Sequence, residues 1–231
     1  MAIFRPILWG HSLDEYQKMF GLAPDDLQQS IIDCGAGPAS FCAELTPRND
    51  EVVAIDPMYD MAPELLAEHV KSVFKRAVDD AKAHSDWFVW DEYPDLDHLV
   101  AAHEHSLEQF LTDFEKGREA QRYRANTVID MPYGDGIFDL ALCSHHLFGH
   151  GDHVGDMDYH IAALKEMVRV AKEVRVFPLT DHSGQVSELI GPLILLLQEA
   201  GIGVEMREVP YQVLRNSNAV LRLWAQSCEV S

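Results

Sequence analysis

The apolar positions of the chain change period several times, and each change marks an element. Leu13, Tyr16, Met19 and Phe20 recur at helical spacing behind an S-x-x-E capping box, Ser12 and Glu15. Gly21 is the expected stop. Residues 24–29 read as a second short helix. Residues 30–34 read as a buried strand, followed by Gly35-Ala36-Gly37-Pro38, a helix over 39–45 and a Val/Ile-rich strand over 51–56. Strand, glycine loop, helix and strand in that span make the βαβ unit of a parallel sheet.

Simple alternation then stops. Residues 64–83 predict one helix, and Leu96, Leu99, Val100, Leu107, Phe110, Leu111 and Phe114 mark another. A crossover helix needs far less chain than this. Residues 84–116 are therefore expected to form an inserted helical cap, starting at the aromatic run Trp87-Phe88-Val89-Trp90. Further strands are expected at 123–129, 138–143, 173–177 and 204–209, with helices at 156–170 and 186–200. The last strand, 219–225, follows Asn216-Ser217-Asn218 with no room for a helix, so it is hairpin-connected and antiparallel. The expectation is one α/β domain over residues 1–231, with N-terminal helices over 1–29 and an open sheet carrying one antiparallel strand.

Charge narrows the partners. Asp and Glu number 38 against 18 Lys and Arg, a formal net charge of −20. Nucleic-acid binding draws most of its affinity from basic residues on phosphates, so no nucleic-acid partner is expected unless a second subunit supplies the positive surface. Anionic membranes are disfavoured for the same reason. No apolar run approaches the ~20 residues of a membrane span, and the N-terminus lacks the pattern of a signal peptide. The 4 cysteines include no CxxC pair, which fits a reduced, cytoplasmic protein. Nothing in the sequence bears on oligomeric state.

The glycine loop sharpens the ligand class. Ser40 stands where a dinucleotide G-x-G-x-x-G has its third glycine. Pro38 removes an N–H that a pyrophosphate would use. Asp33, at the strand end, would repel a diphosphate and suit a cation. These features argue against a nicotinamide dinucleotide and for a nucleoside ligand that carries positive charge, as S-adenosylmethionine does. Asp56, ending the second strand, is placed to accept from ribose hydroxyls.

The chain resembles the class I S-adenosylmethionine-dependent methyltransferases. The matching segments are IIDCGAGPASF (31–41), VVAIDP (52–57) and DMPYGDGIFDLALCSHHLF (130–148), together with the terminal hairpin. The resemblance spans about residues 31–225. It implies a Rossmann-like, doubly wound seven-stranded sheet in the order 3-2-1-4-5-7-6 with strand 7 antiparallel. It also implies that Asp33, Gly35 and Gly37 line the methionine part of the cofactor. Asp56 would hold the ribose, and Pro57 or Met58 would pack on adenine. The family often places an acid before the third segment; here Asn126 stands nearest, with Thr127 and Asp130. Tyr16, on the N-terminal helix, is expected against the methionine carboxylate, and Ser144 beside the cofactor.

Methyl transfer needs orientation, exclusion of water and, for an acceptor that must lose a proton, a base. His145 and His146, at the end of the fourth strand, are the candidate bases, although each also suits plain packing. His146, His150 and His153 sit among Asp152, Asp156 and Asp158, but the loop is rich in glycine and lacks a ligand signature, so no metal site is assigned. Trp87 and Trp90 are expected in cap packing or as a wall for an organic acceptor. Cys143 reads as a buried strand residue. The expected function is methyl transfer to a small molecule, with a protein segment as a weaker acceptor. The competing reading is a cofactor-binding partner protein without catalysis.

Overall fold

The computed structural model describes residues 9–149, 155–181 and 183–225. Its sheet has seven strands: β1 (Ile31–Cys34), β2 (Val52–Ile55), β3 (Tyr123–Arg124), β4 (Phe138–Ser144), β5 (Ala171–Phe177), β6 (Ile202–Glu208) and β7 (Ala219–Ala225). Their order is β3-β2-β1-β4-β5-β7-β6. The first five strands run parallel, and β7 pairs antiparallel with both β5 and β6. This is the order and polarity expected from the sequence.

Among the described residues six α-helices cover the sheet: α1 (Leu13–Phe20), α2 (Phe41–Leu45), α3 (Pro63–Ala83), α4 (Leu96–Glu119), α5 (Met157–Val170) and α6 (Ile190–Glu199). The capping box of α1 forms as expected: Ser12 accepts from the Glu15 N–H, and Glu15 accepts from the Ser12 N–H. Gly21 closes the helix at φ +59°. Successive side chains of a strand face opposite sides. Ile31 of β1 and Val52 and Ala54 of β2 join a core with α1, α2 and α4. Ile32, Cys34 and Ile55 join a second core with α5 and α6. Asp33, on the Ile31 side, is thereby carried under α1.

Three expected elements differ. The strand at 123–129 is only two residues long, because Asn126 N–H turns back to Arg124 O and Thr127 bridges Asp130. The helix at 24–29 is one 3-10 turn, Asp26–Gln28. The helix at 186–200 begins at Ile190, since Val186 is extended and bridges Thr180.

The segment expected as a cap runs into α4. The second half of α4 packs on the body: Phe110 and Phe114 are fully buried against Tyr59 and Tyr123. Asp113 of α4 takes both arms of the Arg122 guanidinium, at 2.6 and 2.8 Å, tying the helix end to β3. The aromatic run before α4 pairs with the loop ahead of β7, through Val89 N–H to Val213 O and Arg215 N–H to Trp87 O.

Candidate functional site

The loop after β1 is held from four directions. Gly35 and Gly37 lie at φ +66° and +55°, where side chains are strained. A Cβ on Gly35 would come within 2.5 Å of the His146 ring. The N–H groups of Gly35 and Ala36 both donate to Ile55 O. The Tyr59 hydroxyl donates to Gly37 O at 2.6 Å. Asp56 accepts the Gly37 N–H on one oxygen and the Met58 N–H on the other, at 3.0 and 2.9 Å. Ser40, in place of a third glycine, shares a 2.6 Å hydrogen bond with Ser106 of α4, and its N–H donates to His11 O.

Asp33 is a buried carboxyl with one oxygen unanswered by the protein. It is 0% exposed. One carboxylate oxygen accepts from the Tyr16 hydroxyl at 2.9 Å, and the other has no protein partner. Burial pushes its carboxyl up to about 8, against the Tyr16 hydrogen bond and with the help of Asp56. Tyr16 is fixed by stacking on Phe41, with ring centroids 4.4 Å apart. Burial, then the Asp33 charge, holds the Tyr16 hydroxyl well above its usual range. Burial also raises Asp56, opposed by its two backbone hydrogen bonds.

The two histidines after β4 part company. His146 stands over Gly35 and meets the Tyr159 hydroxyl through Nε2 at 2.8 Å. His145 adopts φ +58°, an uncommon conformation that histidine tolerates better than most residues. Its Nδ1 meets the Ser144 hydroxyl at 2.8 Å, and its ring stacks on His11 at 4.4 Å. Ser144 itself is buried. Asp33, Gly35, Gly37, Asp56, Ser144, His145 and His146 thus gather at the carboxyl ends of β1, β2 and β4, with Tyr16 above them. Pro57 is exposed and Met58 half-buried, both directly after Asp56. Asn126 lies half-buried in the turn after β3. His150, Asp152, His153 and His182 fall outside the described residues.

His145 also lines a cavity of about 50 Å³ with Trp9, His11, Leu99, His103, Phe177 and Tyr211. Trp87 stands at its wall, whereas Trp90 stacks on Phe88. Beside this cavity lies a buried hub that the sequence reading missed. Glu15 Oε1 accepts from the hydroxyls of Tyr211 and Tyr93, at 2.8 and 3.0 Å. His11 and His103 approach the same oxygen at 3.4 and 3.5 Å. Burial pushes Glu15 up, but the two imidazoles hold it well below the ordinary carboxylate value. Burial lowers His103, opposed by Glu15. The one signal along the chain was His11-x-x-x-Glu15, four residues apart at a helix start. Tyr93, His103 and Tyr211 are too distant in sequence for spacing to reveal them.

No family model matches the chain. An uncharacterized protein of Methanocaldococcus jannaschii is 26% identical over 226 residues, 93% of this chain and 94% of that protein. Among solved structures, a candidate S-adenosyl-L-methionine-dependent methyltransferase of Methanococcus maripaludis is similar, with TM-score 0.49 and 14% identity. That match covers 95% of this chain and 85% of the other. The N-methyltransferase NodS of Bradyrhizobium japonicum is similar with TM-score 0.47 and 14% identity, over 93% and 96% of the two chains. Among the described residues no helix is long and apolar enough to cross a membrane.

Proposed function

We propose that this chain is an S-adenosylmethionine-dependent methyltransferase acting on a small molecule. The observation that carries the reading is Asp33. A buried carboxyl with one oxygen lacking a partner, at a strand end beside a glycine loop, is matched by a cationic ligand, which favours its ionised form, and not by a phosphate. An ammonium placed there satisfies the orphaned oxygen and returns the carboxyl to its ionised form. Asp56 supports the ribose contact, because each of its oxygens accepts one amide and keeps a lone pair for a hydroxyl. Bare backbone at Gly35 lets the His146 ring close onto the loop.

S-adenosylmethionine supplies a methyl group already activated by its sulfonium. The chain's residues then bind, orient and exclude water. The aromatic cavity beside His145 is the acceptor site in this reading, and its small volume selects a compact molecule or requires the 84–90 segment to part from 213–215. His145, at the cavity wall, takes the proton from an acceptor that must lose one. His146, hydrogen-bonded to Tyr159 over the glycine loop, is a positioning residue for Gly35.

Calorimetric titration with S-adenosylhomocysteine, with NAD as control, tests the reading. Saturable binding of the first alone supports it. Binding of NAD in its place refutes it. Binding without turnover of S-adenosylmethionine across an acceptor screen leaves a cofactor-binding partner protein as the function.

A further inference from the structure

The hub around Glu15 has the donor set and the spacing of a metal centre. His11, Glu15 and His103 are buried, and one ligating atom from each lies within 4.8 Å of the others. Two of the separations are measured directly: His11 Nδ1 to Glu15 Oε1 is 3.4 Å, and His103 Nε2 to the same oxygen is 3.5 Å. Those distances are long for hydrogen bonds between charged partners. They match the ~3.4 Å edge of a tetrahedron built on metal–ligand bonds of ~2.0–2.1 Å.

The tautomer of His103 points the same way. Its Nδ1 is hydrogen-bonded to Gly10 O, and a carbonyl can only accept, so Nδ1 carries a proton. In the neutral ring Nε2 then turns a lone pair toward Glu15 Oε1. Two acceptors facing each other inside a protein repel unless a proton or a metal cation sits between them, and 3.5 Å is long for the proton. A backbone carbonyl on the far nitrogen is also the usual outer-shell partner of a metal-bound histidine. Ser12 N–H and Oγ orient Glu15 through Oε2, whereas the Tyr211 and Tyr93 hydroxyls take both lone pairs of Oε1, so a metal there displaces one of them, the half-buried Tyr93.

We propose that His11, Glu15 and His103 bind one divalent transition metal of the zinc class. Two imidazoles and a carboxylate suit borderline cations better than magnesium or calcium. Three protein ligands leave at least one coordination position, and the adjoining cavity is where it opens. The metal therefore receives a polar atom, oxygen, nitrogen or sulfur, of whatever small molecule occupies that cavity. This site is separate from the Asp33 and Asp56 loop, so it holds whether or not S-adenosylmethionine is the cofactor.

The test starts from protein stripped with a chelator and titrated calorimetrically with Zn²⁺. One equivalent binds. Co²⁺ in its place gives the intense visible bands of a low-symmetry, four-coordinate site. His103→Ala and His11→Ala each weaken Zn²⁺ by more than the ~10–100-fold that loss of an outer-shell partner causes. His150→Ala with His153→Ala leaves the affinity unchanged. Circular dichroism and S-adenosylhomocysteine titration establish that each variant is folded. Absence of Zn²⁺ binding to the unaltered chain overturns the proposal. So does binding that survives in His103→Ala and vanishes in the double loop variant. Where a variant unfolds, the stoichiometry and the Co²⁺ spectrum of the unaltered protein decide between the two outcomes. Failure of S-adenosylhomocysteine to bind, with Zn²⁺ binding intact, overturns the methyltransferase reading alone.

Discussion

Under α5 and α6 the sheet is closed by Leu164, Met167, Leu193, Leu197 and Val174, all fully buried. The buried imidazole there, His160, has each ring nitrogen against a backbone carbonyl. The opposite face, under α1, α2 and α4, buries Asp33, Glu15, His11, His103, Ser40, Ser106 and Arg175 within a shell of aromatic rings. One face is specified by volume and pattern. The other is specified by partners, because each buried polar group there is costly unless something answers it. A substitution on the first face should therefore read out as stability alone, and on the second as ligand affinity as well.

The largest effect expected is Leu164→Ala. It should cost about 2–5 kcal/mol in urea unfolding and leave S-adenosylhomocysteine affinity unchanged. A loss of affinity that follows the loss of stability would erase the distinction between the faces. Next is Asp33→Asn, which should weaken S-adenosylhomocysteine about 100-fold, equivalent to about 2.7 kcal/mol.

Asp33 also sets a pH dependence of opposite sign to that of an ordinary paired carboxylate. Its folded value is pushed up to about 8, against about 4 in an unfolded chain. Between those limits the folded state binds the extra proton, so stability falls as pH rises from about 4 to about 8. Thermal unfolding across that range should show the decline, and Asp33→Asn should flatten it. Tyr16→Phe removes a hydrogen bond to the same carboxylate and should cost about 1–3 kcal/mol. The smallest effect is expected from Ser106→Ala, about 1 kcal/mol, through its single bond to Ser40. Equilibrium denaturation resolves both.

The same division explains what the sequence revealed. Apolar period and turn chemistry made the elements, the antiparallel β7, the capping box and the glycine loop legible, whereas the strand order was an implication of the family resemblance. The two-residue β3 was not, because its apolar continuation at Val128 and Ile129 looks like strand until the turn at Asn126 is seen. Glu15 was read as half of a cap. That role is real, but it occupies Oε2, and the destination of Oε1 depends on residues 93, 103 and 211. Local rules describe what a side chain does to its own helix. Its long-range partners are set by the fold. Of the N-terminal segment the sequence singled out Tyr16, whereas the stacking of His11 on His145 and the bond from Ser40 N–H to its carbonyl depend on the fold.

The bond from Tyr211 to Glu15 joins positions 196 residues apart. Closing a loop of that length must wait for much of the intervening chain, and contacts of such separation slow folding. During synthesis Glu15 emerges early, while Tyr211 is among the last of the partners to leave the ribosome. The hub is thus a late assembly. The chain can acquire β1 to β5, its glycine loop and most of its mass before Tyr211 reaches Glu15, and a nascent or clipped chain that stops short of residue 211 lacks both that wall of the cavity and β7, the strand that joins β6 to the sheet.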